Sequence, residues 1–181
     1  MTTYIALLRG INVGKAKRVP MADLRALLGD LGHSDVATLL NSGNAVFRSA
    51  KATPKALAAD ISSAIASRFG FEVPVVVKSA KELDAIVAAN ALAAQAPDPS
   101  RLLVAFVQDP KVLPGLAALE PLVAPPEQFL VGRHAAYLHC ASGILQSTAG
   151  AALLGKAGKA ATTRNWATVL KLQAMVSEDS A

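Results

Sequence analysis

A chain of 181 residues, 52% apolar but only 4% aromatic, can bury a core without disulfide or metal support, and that core must be built largely from Ala, Leu and Val. The single cysteine, Cys140, rules out an internal disulfide, and three scattered histidines form no zinc motif of recognised spacing. With a net charge of +5, no apolar run near the roughly 20 residues of a membrane span and an N-terminal run too short for a signal peptide, a soluble, cytosolic protein is expected.

In chain order, Tyr4 to Arg9 is a short apolar run closed by Gly10, which suits a buried strand. Pro20 stands where a first-turn proline belongs, and Leu24, Leu27, Leu28 and Leu31 repeat at helical spacing up to Gly32. Val36 to Leu40 and Ala45 to Arg48 read as a hairpin around Asn41-Ser42-Gly43-Asn44. Thr53-Pro54 opens a helix whose Leu57, Ile61, Ile65 and Phe69 form one stripe ending at Gly70, and Val73 to Lys78 is a further strand. The order strand, helix, strand, strand, helix, strand is the split βαβ, or ferredoxin-like, pattern.

Ser79-Ala80-Lys81-Glu82 has capping-box spacing, so a third helix is expected from Ala80 to about Asn90, with Leu83, Ile86 and Val87 buried. Pro97-Asp98-Pro99 marks the best linker. Leu102 to Val107 then reads as a strand, Pro110 to Leu119 as a helix, and Phe129 to Val131 with Ala136 to His139 as a second hairpin. Two helices should follow, from about Ser147 to Leu154 and from about Thr163 to Val176, the latter with Trp166, Val169 and Leu170 on one face. The expected fold class is α+β, with two ferredoxin-like βαββαβ-type units in tandem, mixed or antiparallel sheets, and helices packed on one face. The expected division is a first unit over 1–78, a helix and linker over 79–100, and a second, partly degenerate unit over 101–181 with its C-terminal helices.

The stretch LRGINVGKAKR, Leu8 to Arg18, invites comparison with a phosphate-binding P-loop. It fails as one. Gly10 and Gly14 are one residue too close, Ala16 cannot hold a metal ion, and the next helix begins near Pro20 instead of at the lysine. A glycine-bearing basic turn remains, with Arg9, Lys15 and Lys17 nearby, able to seat a phosphate or carboxylate or to serve simply as a sharp exposed connection. All thirteen carboxylates lie outside two segments, Met1 to Ala22 and Gln128 to Ser177. Both segments are basic, and together they would attract an anion. The turn Asn41 to Asn44 is explained by backbone demands alone. At Thr162-Thr163-Arg164-Asn165-Trp166, a threonine is expected to cap the last helix. Arg164 and Asn165 would then lie in its first turn, where a cation is unexpected beside the positive end of the helix dipole and hints at a bound anion.

The runs LRGINVG, VPMADLRALL, NSGNAVF and TTRNWATVLKL resemble, in this order and spacing, a widespread bacterial family, the domain of unknown function sixteen ninety-seven. The likeness covers essentially the full length. It implies an α+β fold built as a duplication of ferredoxin-like units, and it implies no established activity. Lys15 stands where the family form has a second glycine, and Lys17 where it has asparagine or another polar residue. The departure makes this loop more cationic and brings into question any need for backbone freedom at position 15.

Catalytic readings are weaker. His139 and Cys140 are adjacent in a strand and would point to opposite faces, so only a tertiary dyad of Cys140 with His33 or His134 could act. Asp23 and Asp30 could share a helix face, but solvation explains them. The expected function is binding of a small anionic ligand, bearing phosphate, nucleotide or carboxylate, by Arg9, Asn12, Gly14, Lys15, Asn44, Arg164 and Asn165. One alternative is nucleic-acid binding through a basic face, although the central strands offer only Tyr4 and Phe47 for stacking. Another is a non-catalytic module that docks a protein partner. No motif names a cofactor, and no membrane partner is expected.

Overall fold

The computed structural model describes residues 1–50 and 53–178. The chain divides into two compact units, one comprising Met1–Leu83 with Leu172–Ala181 and the other Asp84–Lys171.

In the first unit, β1 (Thr2–Leu8) is followed by α1 (Met21–Asp30), β2 (Ser34–Leu39), β3 (Asn44–Ser49), α2 (Pro54–Phe69) and β4 (Val75–Ser79). The sheet order is β2-β3-β1-β4, and every neighbouring pair is antiparallel. Tyr4, Ala6 and Leu8 of β1 pack with Leu24, Leu27 and Leu28 of α1, Phe47 of β3 and Leu57, Ile61 and Ile65 of α2. Burying each such leucine or isoleucine contributes about 1.5–3 kcal/mol relative to leaving it in water. Ile5 and Leu7, on the opposite face of β1, are fully buried as well. Its run is therefore continuously apolar instead of alternating. The termini of α2 follow their sequence signals. Thr53 accepts a hydrogen bond from the Ala56 amide at 3.2 Å, and Gly70 closes the helix in the left-handed region.

α3 (Ala80–Ala88) begins in the first unit and continues in the second. Its capping box forms as expected, the Ser79 amide donating to Glu82 Oε2 at 2.7 Å and the Glu82 amide to Ser79 Oγ at 3.2 Å.

The second unit holds β5 (Leu102–Val107), β6 (Gln128–Val131), β7 (Ala135–His139), α4 (Thr148–Leu154) and β8 (Ala161–Asn165). Its antiparallel sheet runs β6-β7-β5-β8, which repeats the strand arrangement of the first. The helix expected over Pro110 to Leu119 is a 3-10 stretch over Pro110–Leu122, with Pro114 and Pro121 inside it. Two interior prolines remove donors and favour the tighter winding over an α-helix. Leu113, Leu116 and Leu119 still reach the core beside Leu103, Ala105 and Val107 of β5. The last helix, α5 (Trp166–Glu178), starts later than its sequence pattern suggests, because residues 161–165 pair with β5 as β8. Leu170 is 40% exposed while Leu172 and Val176 are buried, so the buried stripe lies partly one step beyond the expected one.

Candidate functional site

Residues 9–20 connect β1 to α1, and their backbone is unusual. Gly10 (φ 71°), Asn12 (56°) and Gly14 (62°) have positive φ, while Ile11 and Val13 do not. Glycine and asparagine are the residue types that enter this region at least cost, so the alternation is written in Gly-Ile-Asn-Val-Gly itself. Where right- and left-handed residues alternate, successive N–H groups can turn toward a common concavity that cradles an anion. Gly14 and Lys15 form a turn between Val13 and Ala16, and the amides of Val13, Gly14 and Lys15 enter no hydrogen bond among the described residues. Lys15, Lys17 and Arg18 are exposed around them.

The loop is tied down by Asn12. Asn12 Nδ2 donates to the carbonyls of Val19 at 2.9 Å and Asn41 at 2.7 Å, and its Oδ1 accepts from the Val19 amide at 2.9 Å. The Asn12 amide donates to the Lys17 carbonyl at 3.1 Å, closing the loop on itself. Ile11 and Val19 are buried and root both limbs. Lys17 has φ 49° and its ammonium donates to the Glu72 carbonyl at 3.1 Å. Position 15 has no positive φ, so the family's glycine there is not required by backbone conformation. Arg9, at the end of β1, is half-buried, and that burial pulls its guanidinium below the ordinary range.

The neighbouring turn is bound to the same corner. The Leu8 amide donates to the Gly43 carbonyl at 2.9 Å. A Cβ at Gly43 would sit 2.7 Å from Leu8 Cβ and 2.8 Å from Ile11 Cδ1, so only glycine lets turn and strand approach this closely. Asn44 is fully buried, its Nδ2 donating to the Leu39 carbonyl at 2.8 Å and to Ser42 Oγ at 2.9 Å. Asn12 and Asn44 therefore build the corner, and the exposed groups are Gly14, Lys15 and their neighbours. Arg18 and Asn41, which the motif reading passes over, line a cavity of about 270 Å³ with Asn12, Val19 and Pro20. Both were visible in the sequence as polar residues flanking the glycine motifs.

Arg164 and Asn165 lie in the second unit, and the first turn of a helix is not where they sit. Both belong to β8. The true cap of α5 is Asn165, whose Oδ1 accepts from the Thr168 amide at 2.9 Å, which corrects the expected threonine cap. Arg164 is 8% exposed and donates from Nη1 to the Thr163 carbonyl at 2.9 Å. Desolvation pulls its guanidinium down to about 10. The dipole argument for an anion beside it therefore no longer applies.

Cys140 is fully buried, and burial pushes its thiol up. A reactive cysteine needs the reverse. Asp30 pairs with Arg68 at 2.6 Å. Tyr4 and Phe47 stack on each other within the core at 5.8 Å between ring centroids, so neither offers a face to a base. Among the described residues no group of three or more His, Cys, Asp or Glu could hold a metal ion, and no helix is long and apolar enough to cross a membrane.

Two like-ordered antiparallel sheets and a pinned basic loop in the first unit thus define an α+β protein. The chain belongs to the family described as Protein of unknown function (DUF1697), whose model matches residues 1–137, a span that includes the loop. It is similar to the conserved bacterial protein SP0830 from Streptococcus pneumoniae, with 27% identity and a TM-score of 0.81 over 97% of this chain and 98% of that one. No curated protein matches it.

Proposed function

We propose that this protein binds a small phosphate- or carboxylate-bearing anion at the loop 10–18. The observation that carries the reading is the alternation of positive φ at Gly10, Asn12 and Gly14, with the amides of Val13, Gly14 and Lys15 outside the protein's own hydrogen bonds among the described residues. Lys15 and Arg18 add charge at the rim, and Arg9 adds it at the end of β1. Asn12 and Asn44 act as supports of the loop. Arg164 and Asn165 have local roles in β8 and at the cap of α5 and are not part of this reading. Base recognition by Tyr4 and Phe47 is disfavoured by their burial.

Two finer descriptions go with it. The βαββαβ order together with the β2-β3-β1-β4 arrangement supports calling the first sheet ferredoxin-like, and the β6-β7-β5-β8 sheet repeats that arrangement. A lone cysteine suits a reducing, cytoplasmic setting.

Thermal melts in millimolar inorganic phosphate, at constant ionic strength, test the proposal. Phosphate should raise the melting temperature of the wild type. Gly14→Ala places a side chain in open space but forces it into the left-handed region, and Lys15→Ala removes one rim charge; both should shrink the rise. An equal rise in all three proteins, or none in the wild type, would overturn it.

A further inference from the structure

Beside the loop lies the cavity of about 270 Å³ lined by Asn12, Arg18, Val19, Pro20 and Asn41. Its size is near the lower limit of small-molecule sites, enough for one ring and its substituents. Resting on the anion-binding reading above, we propose that this cavity receives the organic part of the ligand, and that the ligand is a phosphorylated sugar.

The lining chooses the chemistry. Pro20 offers an exposed apolar surface that can pack against the C–H face of a sugar ring, with the buried Val19 behind it. Asn41 and Arg18 are exposed, and their side chains enter no hydrogen bond or ion pair among the described residues. A carboxamide and a guanidinium fork on one cavity supply donors and an acceptor suited to ring hydroxyls, and a guanidinium also suits a phosphate oxygen. A nucleobase would call for an aromatic platform, and no aromatic residue lines the cavity.

The backbone around it points the same way. Lys17 and Leu40 both have positive φ, at 49° and 58°, although neither residue type favours it. Leu40 is 54% exposed, so burial does not compensate. Asn12 ties both segments together through the Lys17 and Asn41 carbonyls. Conformational strain concentrated at one corner is characteristic of ligand clamps.

Isothermal titration with ribose 5-phosphate, inorganic phosphate, ribose and adenosine monophosphate separates the possibilities, using the wild type and Asn41→Ala. That substitution keeps the backbone carbonyl that Asn12 needs. Ribose 5-phosphate should bind the wild type about tenfold tighter than phosphate, a difference of about 1.4 kcal/mol, and Asn41→Ala should erase that advantage while leaving phosphate affinity unchanged. Adenosine monophosphate should bind no better than ribose 5-phosphate, and ribose alone should not bind. Phosphate binding with no gain from the sugar, or a gain that survives in Asn41→Ala, overturns the sugar subsite and leaves the anion loop standing. A nucleotide tenfold tighter than the sugar phosphate overturns the choice of sugar. Absence of binding by every ligand overturns both.

Discussion

Asn12 shows how one side chain can resemble a ligand-binding group in sequence and be a structural clamp in the fold. An amide between two glycines suggested a contact to a bound molecule, yet both of its donors and its acceptor are used on Val19 and Asn41. Sequence shows which residues tolerate positive φ, but a side chain's partners depend on residues far along the chain, here 29 positions away. Removing the clamp should be costly. Asn12→Ala loses three hydrogen bonds and strains a position at φ 56°, for an expected destabilisation of about 2–4 kcal/mol. Asn12→Gly keeps the backbone freedom and loses only the bonds, so its urea midpoint should fall between those of wild type and Asn12→Ala. Equal midpoints for wild type and Asn12→Gly would deny the clamp.

Elements were legible where local signals suffice. The cap at Thr53, the Gly70 stop and the Ser79 box are short-range chemistry, and each appears where the sequence places it. β8 was not legible, because five residues, Ala-Thr-Thr-Arg-Asn, run straight into a helical pattern and gain their strand identity only by pairing with β5. The Thr162-Thr163 pair was the available hint, since β-branched residues favour strands. The 3-10 winding of Pro110–Leu122 was likewise announced by Pro114 and Pro121. Helix start signals can be tested directly. Ser79→Ala removes one arm of the capping box, and denaturant unfolding should show a loss of about 1 kcal/mol. A loss no larger than that of an exposed control such as Ser63→Ala would mean that the box adds nothing to stability.

At the scale of the whole molecule, the α+β class was legible from element order alone, while the strand order of the two sheets and the grouping of Leu172 onward with the first unit were not. Long-range grouping depends on contacts that no local pattern encodes. Global stability at alkaline pH should carry two opposing contributions. Tyr137 donates to the Ile86 carbonyl at 2.6 Å, and burial pushes its phenol from 10.0 up to about 12. Its stabilisation is complete below pH 10 and lost as the pH rises through 12. Arg164, pulled below its ordinary range to about 10 by burial, has the opposite sign, its burial cost easing as the pH rises through the same range. Tyr137→Phe retains the arginine and removes the phenol. Its stability should therefore fall less steeply than that of the wild type between pH 10 and 12, and parallel curves would contradict the assignment.

The basic loop is the centre of the account, and amide-resolved NMR tests it most directly. Titrating ¹⁵N-labelled protein with inorganic phosphate at constant ionic strength should move the Val13, Gly14 and Lys15 amide signals together, along one saturable curve. Signals that stay still, or shifts spread evenly over exposed lysines throughout the chain, would contradict an anion-binding loop.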